Sequence, residues 1–417
     1  MRAGINAVSA GRVIDRALAD ADLSAVMTSR PNHVIAVGKA AAAMAAAFIA
    51  RENLEAKSML VISTHGRELL PPDVNFIESS HPFPDGRSEA AGNLAMAAAE
   101  AVHSGEALVI LLSGGASALM AAPIDGVSLQ EKIATTRLMM NAGADIHALN
   151  TVRRHLSKIK GGRLAGACAG TTITLALSDV VGDDLNAIGS GPGVPDATTW
   201  SDAAAALNQF GGEGHGRSVR DLITRGVEGE VADTPKAGDR SMKRAHARVI
   251  GSRNDAMNGA RMAAEQLGYR AIVLAEPVTG EARDVAPRWL DMVEQRLAGG
   301  SRPVCVISSG ETIVRVTGSG QGGRNLEFAL ALAETLPRLG TAALASVGTD
   351  GIDGSSGVAG GIVDATTMER ARQAGLERPA HYLAANDSFA FFAPLGDTVR
   401  LGRTDTNVGD LQVLLID

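Results

Sequence analysis

Short apolar runs alternate with longer stretches of helical periodicity along most of this chain. Val34–Val37, Met59–Ile62, Val74–Ile77, Leu108–Leu112 and Thr172–Leu177 read as strands, with Ala40–Ala50 and Glu89–His103 as helices among them. Strands that alternate with helices pair mostly in parallel, because each helix carries the chain back to the same end of the sheet. Residues 201–245 interrupt the alternation. FGGEGHGRS and VEGEVADTPKAGDRS hold few β-branched residues, and only DAAAALNQF reads as helical. A boundary is therefore expected at Ala237–Met242, dividing the chain into domains 1–240 and 241–417. A second series follows. Val249–Ile250, Ala271–Leu274, Val304–Ile307, Thr312–Val316, Ala342–Val347 and Leu411–Ile416 read as strands, and Asn254–Leu267, Glu281–Leu297 and Asn325–Leu336 as helices. The pattern predicts an α/β protein with a mostly parallel N-terminal sheet and a smaller C-terminal α/β domain.

Composition narrows this picture. At 417 residues and 45% hydrophobic content the chain can bury a sizeable core, and with 3% aromatics that core must be aliphatic. A net charge of -7 without a basic run argues against a general nucleic-acid binder. Cys168 and Cys305 stand too far apart for a disulfide framework and lack zinc spacing. The N-terminal MRAGINAVSAGRVIDRAL has no uninterrupted apolar core, and Ala40–Phe48 is too short to span a bilayer, so a soluble cytoplasmic protein without membrane contact is expected.

Candidate chemistry collects where strands end. In VIAVGKAAAAMAAAF, Lys39 stands at a helix start, where the dipole disfavours a cation and favours a bound anion. The plainer alternative is a solvated lysine. In LVILLSGGASALM, Ser113, Gly114, Gly115 and Ser117 follow a strand, and their backbone and hydroxyls suit phosphate oxygens. No Walker A string occurs. LNTVRRHLSKIKGGRLA carries Arg153, Arg154, Lys158, Lys160 and Arg163. As one helix it would set Arg154 and Lys158 on one face, either as an anion clamp or as a solvated basic face. LALSDVVGDDLNAIGSGP offers Asp179, Asp183 and Asp184 as oxygen ligands for Mg²⁺, or as turn residues, before Ser190-Gly191. Gly318, Gly320 and Gly323 satisfy GxGxxG, but no acidic residue stands where a dinucleotide ribose would need one. Arg324 follows at a helix start, and Glu311 precedes the expected strand Thr312–Val316 as a ligand or a hairpin residue. Asp350 and Asp353 lie in a loop of glycine and serine; an Asx turn suits them, or one of them could accept a substrate proton or position a metal. His81, between prolines in SSHPFPDGRS, is a weaker candidate for substrate contact.

Taken together, VGKAAAAMA, SSHPFPDGRS, LLSGGASAL, LNTVRRHLSKIKGGRLA, LSDVVGDDLNAIGSGP, GGRNLEFALALA and GTDGIDGSSGVAGGIVD resemble the class II D-glycerate 2-kinases, whose C-terminal part is called MOFRL. The strings run in family order over nearly the whole chain. The resemblance implies a Rossmann-like N-terminal domain, a MOFRL domain and an active site in the cleft between them. It implies ATP, Mg²⁺ and D-glycerate, with 2-phosphoglycerate as product. Lys39 matches the family's essential lysine, Arg324 its arginine, Ser113-Gly114-Gly115 its nucleotide-side loop, and Asp179 and Asp350 its acidic positions. On this reading Lys39, Arg324 and Asp350 are catalytic. Ser113, Gly114, Gly115, Ser117, Ser190 and Gly191 hold the nucleotide. His81, Arg153, Lys158, Asn325 and Asp353 face the glycerate, and Asp179 and Asp183 hold the metal. The sequence leaves a homodimer open. Two other readings remain: an NAD(P)H-dependent hydroxypyruvate reductase, and a non-catalytic two-lobed metabolite-binding protein. A coupled assay separates them. ADP release that depends on D-glycerate is expected; NADH oxidation with hydroxypyruvate would contradict the kinase reading.

Overall fold

The computed structural model describes residues 1–297 and 301–417. They pack as two compact units, Val13–Ile250 and Met1–Arg12 with Gly251–Asp417. This differs from the expected division at 240/241, and the reason lies in small residues. The helix Arg2–Ala7 lies against the helix Arg253–Gln266, with Gly4 facing the Ala256 carbonyl and Gly259 facing Ala3 and Ala7. A Cβ at Gly259 would come within 2.5 Å of the Ala7 Cβ, so only glycine permits this approach. Thr406 Oγ1 adds a hydrogen bond to the Val8 carbonyl at 2.6 Å.

The larger unit holds a six-stranded sheet. In chain order its strands are β1 (Asn32–Val37), β2 (Ala56–Ser63), β3 (Asn75–Glu78), β4 (Ala107–Leu112), β5 (Thr171–Leu177) and β6 (Ala245–Gly251). Their order across the sheet is β3-β2-β1-β4-β5-β6, and the pairs from β3 to β5 are parallel, as the alternation predicts. β1, β4 and β5 are buried along their whole length, which fits their unbroken apolar runs. Side-chain caps set the helix starts. Asp85 caps the helix Gly86–Glu100, which begins three residues before the expected Glu89, and Ser128 with Glu131 forms a capping box on Leu129–Asn141. The interruption in the sequence pattern belongs to a helical core of its own, where Trp200, Leu207, Val219 and Ile223 pack with Met139, Leu149 and Val152.

The smaller unit is built on β7 (Arg270–Val273), β8 (Val278–Glu281), β9 (Val304–Ile313), β10 (Ala342–Gly348), β11 (Gly360–Asp364), β12 (Thr398–Val399) and β13 (Asp410–Ile416). Their order is β12-β11-β10-β13-β9-β7, with β8 also on β9, and the central pairs are antiparallel. Val304–Ile307 and Thr312–Val316, expected as separate strands, are corrected by the single strand β9, in which Ser308–Ser309–Gly310 continues the pairing to β13. The expected helix Asn325–Leu336 ends at Leu332 and gives way to a 3₁₀ turn, Leu336–Leu339, containing Pro337. One core lies under the helices Ala282–Leu297 and Arg324–Leu332, and another under Arg253–Gln266.

Packing in the larger unit has a direct test. Gly92 faces Ala121 so closely that an added Cβ would lie 2.3 Å from the Ala121 carbonyl oxygen. Gly92→Ala should lower the urea unfolding midpoint by an amount equivalent to about 1–3 kcal/mol, despite alanine's better helix propensity. An unchanged midpoint would contradict this contact.

Candidate active site

The sheet of the larger unit grows in two directions. From β1 the chain adds β2 and β3 on one side, then returns to add β4 and β5 on the other. The loops after β1 and β4 therefore leave adjacent strands in opposite directions, at the position where open α/β sheets bind ligands. Backbone contacts tie these loops together. Lys39 N–H donates to the Gly114 carbonyl at 2.9 Å, and Ala40 N–H donates to Ser113 Oγ at 3.1 Å. Gly38 has φ 129, and a Cβ there would fall 2.1 Å from Ser113 Oγ. Only glycine allows this junction.

The expected loop residues are brought together, with changed duties. Lys39 lies in the turn before the helix Ala41–Ile49 and is half-buried. Ser113, expected on the nucleotide loop, is fully buried, with its hydroxyl accepting from Ala40 N–H. Gly114 is also buried, and Gly115 is the loop glycine that opens outward. A Cβ on Gly115 would come 3.1 Å from the His81 ring and 3.5 Å from Lys39 Cγ, so His81, Lys39 and Gly115 converge. Partial burial, and then the Lys39 charge, hold the His81 imidazole below its ordinary range.

Behind Gly115 lies a cavity of about 330 Å³, lined in part by His81, Ser117, Lys132, Arg137, Arg153 and Lys160. Among the described residues no carboxylate lines it. Lys160 is buried and bonds Ser117 Oγ at 2.6 Å and the Gly189 carbonyl at 3.2 Å. Burial, with the Lys132 and Arg153 charges, pulls its ammonium well below the usual lysine range. Ser190 is buried in a left-handed conformation, φ 62, and its hydroxyl donates to Asn150. The Gly191 carbonyl accepts from Gly162 N–H at 2.8 Å. Ser190 and Gly191, expected to hold the nucleotide, thus brace the loop that holds Lys160.

Arg154 and Lys158 do not share a helix face. The helix ends at His155; Arg154 is buried against Asp196 at 3.3 Å, and Lys158 pairs with Asp125 at 2.6 Å. Arg153 is the member of this stretch that faces the cavity with no hydrogen-bond or ion-pair partner for its guanidinium among the described residues. Asp179 follows β5 and is half-buried, and Asp183 sits nearby in a turn with φ 56. Among the described residues no group of three or more acidic, histidine or cysteine side chains could hold a metal. One or two carboxylates suffice for Mg²⁺ when phosphate oxygens supply other ligands, so Asp179 and Asp183 fit that donor set.

In the smaller unit Arg324, Asn325 and Asp353 join one hydrogen-bonded network centred on buried Asp410. Arg324 Nε bonds both Asp410 oxygens at 2.9 Å, and Arg324 Nη1 bonds Glu311 at 3.0 Å. Glu311 lies within β9, which corrects its placement in a hairpin. Asp353 accepts from the backbone of Asn325 and Leu326 at 3.0 and 2.8 Å and so caps the helix Arg324–Leu332. Asn325 bonds Asp410, Asp353 and Ser346. Asn325 and Asp353, expected to face glycerate, are buried and engaged internally. Asp350 is half-buried, and its carboxylate accepts from Ile352 N–H at 3.1 Å in a turn. Gly318, Gly320 and Gly323 are each closed off by the chain itself, since added Cβ atoms would strike Ala385, Asp387 and Asp353 within 2.3 Å. That leaves no open dinucleotide loop there.

Sequence reasoning missed Lys132, Arg137 and Asp410. Lys132 had a signal: it falls in helical register with buried Leu129 and Met139, an unusual place for a lysine. It also missed two imidazole–carboxylate pairs, His155–Asp233 and His33–Glu106. Their second nitrogens already bond Thr151 O and Ser58 Oγ, so both pairs hold structure.

An open parallel sheet with a cation-lined cavity beside its switch point defines an α/β protein built to take anionic small molecules. A family model described as a domain of unknown function, DUF4147, matches residues 1–224, and the MOFRL family model matches residues 304–410. A protein of Pyrococcus horikoshii named glycerate 2-kinase is 36% identical over 92% of this chain and 87% of its own. One of Agrobacterium vitis, with the provisional name of a hydroxypyruvate reductase, is 36% identical over 97% of this chain and 93% of its own. The crystal structure of a glycerate kinase from Thermotoga maritima superimposes with a TM-score of 0.87 at 33% identity, covering 99% of this chain and 97% of that one. The chain belongs to the glycerate kinase family that joins a DUF4147 domain to a MOFRL domain.

Asp353 yields a pH test. Burial, with the nearby Asp410 charge, raises its carboxyl to about 7, against its cap hydrogen bonds. A folded pKa above the unfolded value contributes stability at low pH that is lost as pH rises through about 7. Asp353→Asn should remove that part of the slope between pH 5 and pH 8 in melting experiments. An identical slope in both proteins would contradict the assignment.

Proposed function

We propose that this protein transfers the γ-phosphoryl group of ATP to the 2-hydroxyl of D-glycerate. The observation that carries the reading is the convergence of Lys39, His81 and Gly115 at the switch point, beside a cavity lined by cations and by no carboxylate. Phosphoryl transfer needs positioning and charge neutralisation more than an elaborate nucleophile, and this arrangement supplies both. The similarity to glycerate kinases over nearly the full chain supports the same conclusion.

In this reading Lys39 neutralises charge on the transferring phosphoryl group, and Gly115 lets the phosphates approach the backbone after β4. Asp179, helped by Asp183, would hold Mg²⁺, which would supply positive charge against the phosphates. Asp350 orients the 2-hydroxyl and accepts its proton. Arg324 acts through its pairing with Glu311 and Asp410, and keeps the start of its helix in place. The two cysteines are free and buried, in keeping with a reducing cytoplasm. Among the described residues no helix is long and apolar enough to cross a membrane. A reductase would need a pyrophosphate loop, and the closure of Gly318, Gly320 and Gly323 by neighbouring backbone and side chains argues against one there.

Lys39→Ala should lower kcat/KM by roughly 100-fold or more, with an unchanged melting curve. Near-normal turnover would remove Lys39 from the chemistry. Asp350→Asn should lower kcat far more than it raises KM for ATP, as expected for a group acting on the hydroxyl. A change confined to the KM for ATP would contradict that role.

A further inference from the structure

The helix Leu129–Asn141 has no part in the roles assigned above. It holds Lys132 inward, in register with buried Leu129 and Met139. Lys132 is 7% exposed, and its ammonium donates to the Leu156 carbonyl at 3.1 Å. An ammonium has three donors, and among the described residues the other two meet no acceptor. Half-buried Arg153 on the next helix likewise has no hydrogen-bond or ion-pair partner among the described residues. Arg137 stands at the lip of the cavity with its guanidinium 4.8 Å over the Phe83 ring. Cations buried without counter-charge are costly to the fold. A cluster of them facing one cavity is explained when a ligand supplies the missing negative charge.

Charge and shape then choose between the two substrates. Glycerate brings one negative charge, and a nucleoside polyphosphate brings several. The rest of the cavity wall includes Phe83, Ala118, Leu129, Ile133 and Met140. A three-carbon hydroxy acid has no apolar face to set against such a wall, whereas a purine has two. The volume of about 330 Å³ is also larger than a three-carbon acid fills.

We propose that this cavity is the nucleotide site: Lys132 and Arg153, with Arg137 at the lip, neutralise the polyphosphate, and the base lies along Leu129, Ile133 and Met140. The inference rests on the phosphoryl-transfer reading above, and it moves Arg153 from the glycerate to the nucleotide. Lys132 becomes a binding residue that no sequence motif marked. The site also handles a proton. Burial, then the charges of Arg153 and Arg163, brings Lys132 down to about 7. Arg153 comes from the helix Ile146–His155, Arg163 from the turn of helix Arg163–Gly166, and Lys160 from the segment between them, so every charge acting on Lys132 is positive. Glu131, beside it on the same helix, is engaged by Ser128 and Ser218. A bound polyanion restores the ammonium, so nucleotide binding takes up a proton above neutral pH and weakens as pH rises.

Calorimetric titration of the full-length protein with ADP, which binds without turnover, tests this. Lys132→Met and Arg153→Met should each weaken ADP binding by roughly tenfold or more, and Arg137→Ala by about threefold. The KM for D-glycerate at saturating ATP should change less than about twofold in each. At pH 8, heats in buffers of different ionisation enthalpy should reveal proton uptake by the native protein, absent in Lys132→Met. Lys132→Met should also melt at a higher temperature, because it removes a buried charge. If either buried variant fails to fold, Arg137→Ala at the exposed lip decides the question alone. Unchanged ADP affinity with a raised KM for glycerate would overturn the assignment in favour of the acid, and unchanged values of both would overturn it outright. ADP binding with these sensitivities, in a protein that does not phosphorylate D-glycerate, would uphold the cavity and reject the acceptor.

Discussion

The structure of the larger unit depends on one junction, where β1 and β4 lie side by side and their following loops diverge. Gly38 meets the Ser113 hydroxyl so closely that no side chain fits between them. That contact fixes Lys39 against Gly114 and presents Gly115 toward His81. The strands beneath are buried along their whole length, so the loops rest on a platform that cannot shift without disturbing the aliphatic core. Precision at the ligand end of the sheet is therefore a consequence of burial at its centre.

Charge is used in opposite ways in the two units. In the smaller unit, Arg324 is held by Asp410 and Glu311, and Arg283 by Glu327, so positive charge is matched internally and stabilises the helices that carry it. In the larger unit Lys132 and Arg153 face a cavity without carboxylates. Buried pairs are a matter of structure; buried unmatched cations weaken the isolated fold and strengthen it when an anion arrives. This contrast, more than the number of basic residues, separates those that build the protein from those that serve its ligand.

Much of the architecture was legible from the sequence. Unbroken apolar runs such as Leu108–Leu112 and Thr172–Leu177 are strands buried on both faces, and the alternation with helices required parallel pairing. Errors arose where tertiary contact overrode local pattern. Ser308–Ser309–Gly310 looks like a turn and is strand, because its backbone pairs with β13 and the Ser309 hydroxyl bonds Asp410 O. Lys158 looked helical and lies beyond the helix end at His155, after Ser157 bridges to Pro123. Lys39 and Gly115 could be found from their place after strands. Asp353 read as a loop acid, because nothing local shows that a helix start is waiting for its carboxylate. Lys132 carried its signal only in its helical register with Leu129 and Met139, since a lysine on a helix ordinarily faces water.

The central claim is that positive charge at the switch point of the larger sheet serves transfer of phosphate from ATP to a small hydroxy acid. Phosphorus NMR of the product formed from ATP and D-glycerate tests it most directly. The account predicts a resonance of 2-phosphoglycerate appearing in step with ADP. Exclusive formation of 3-phosphoglycerate, or ATP left intact in the presence of D-glycerate, would contradict it.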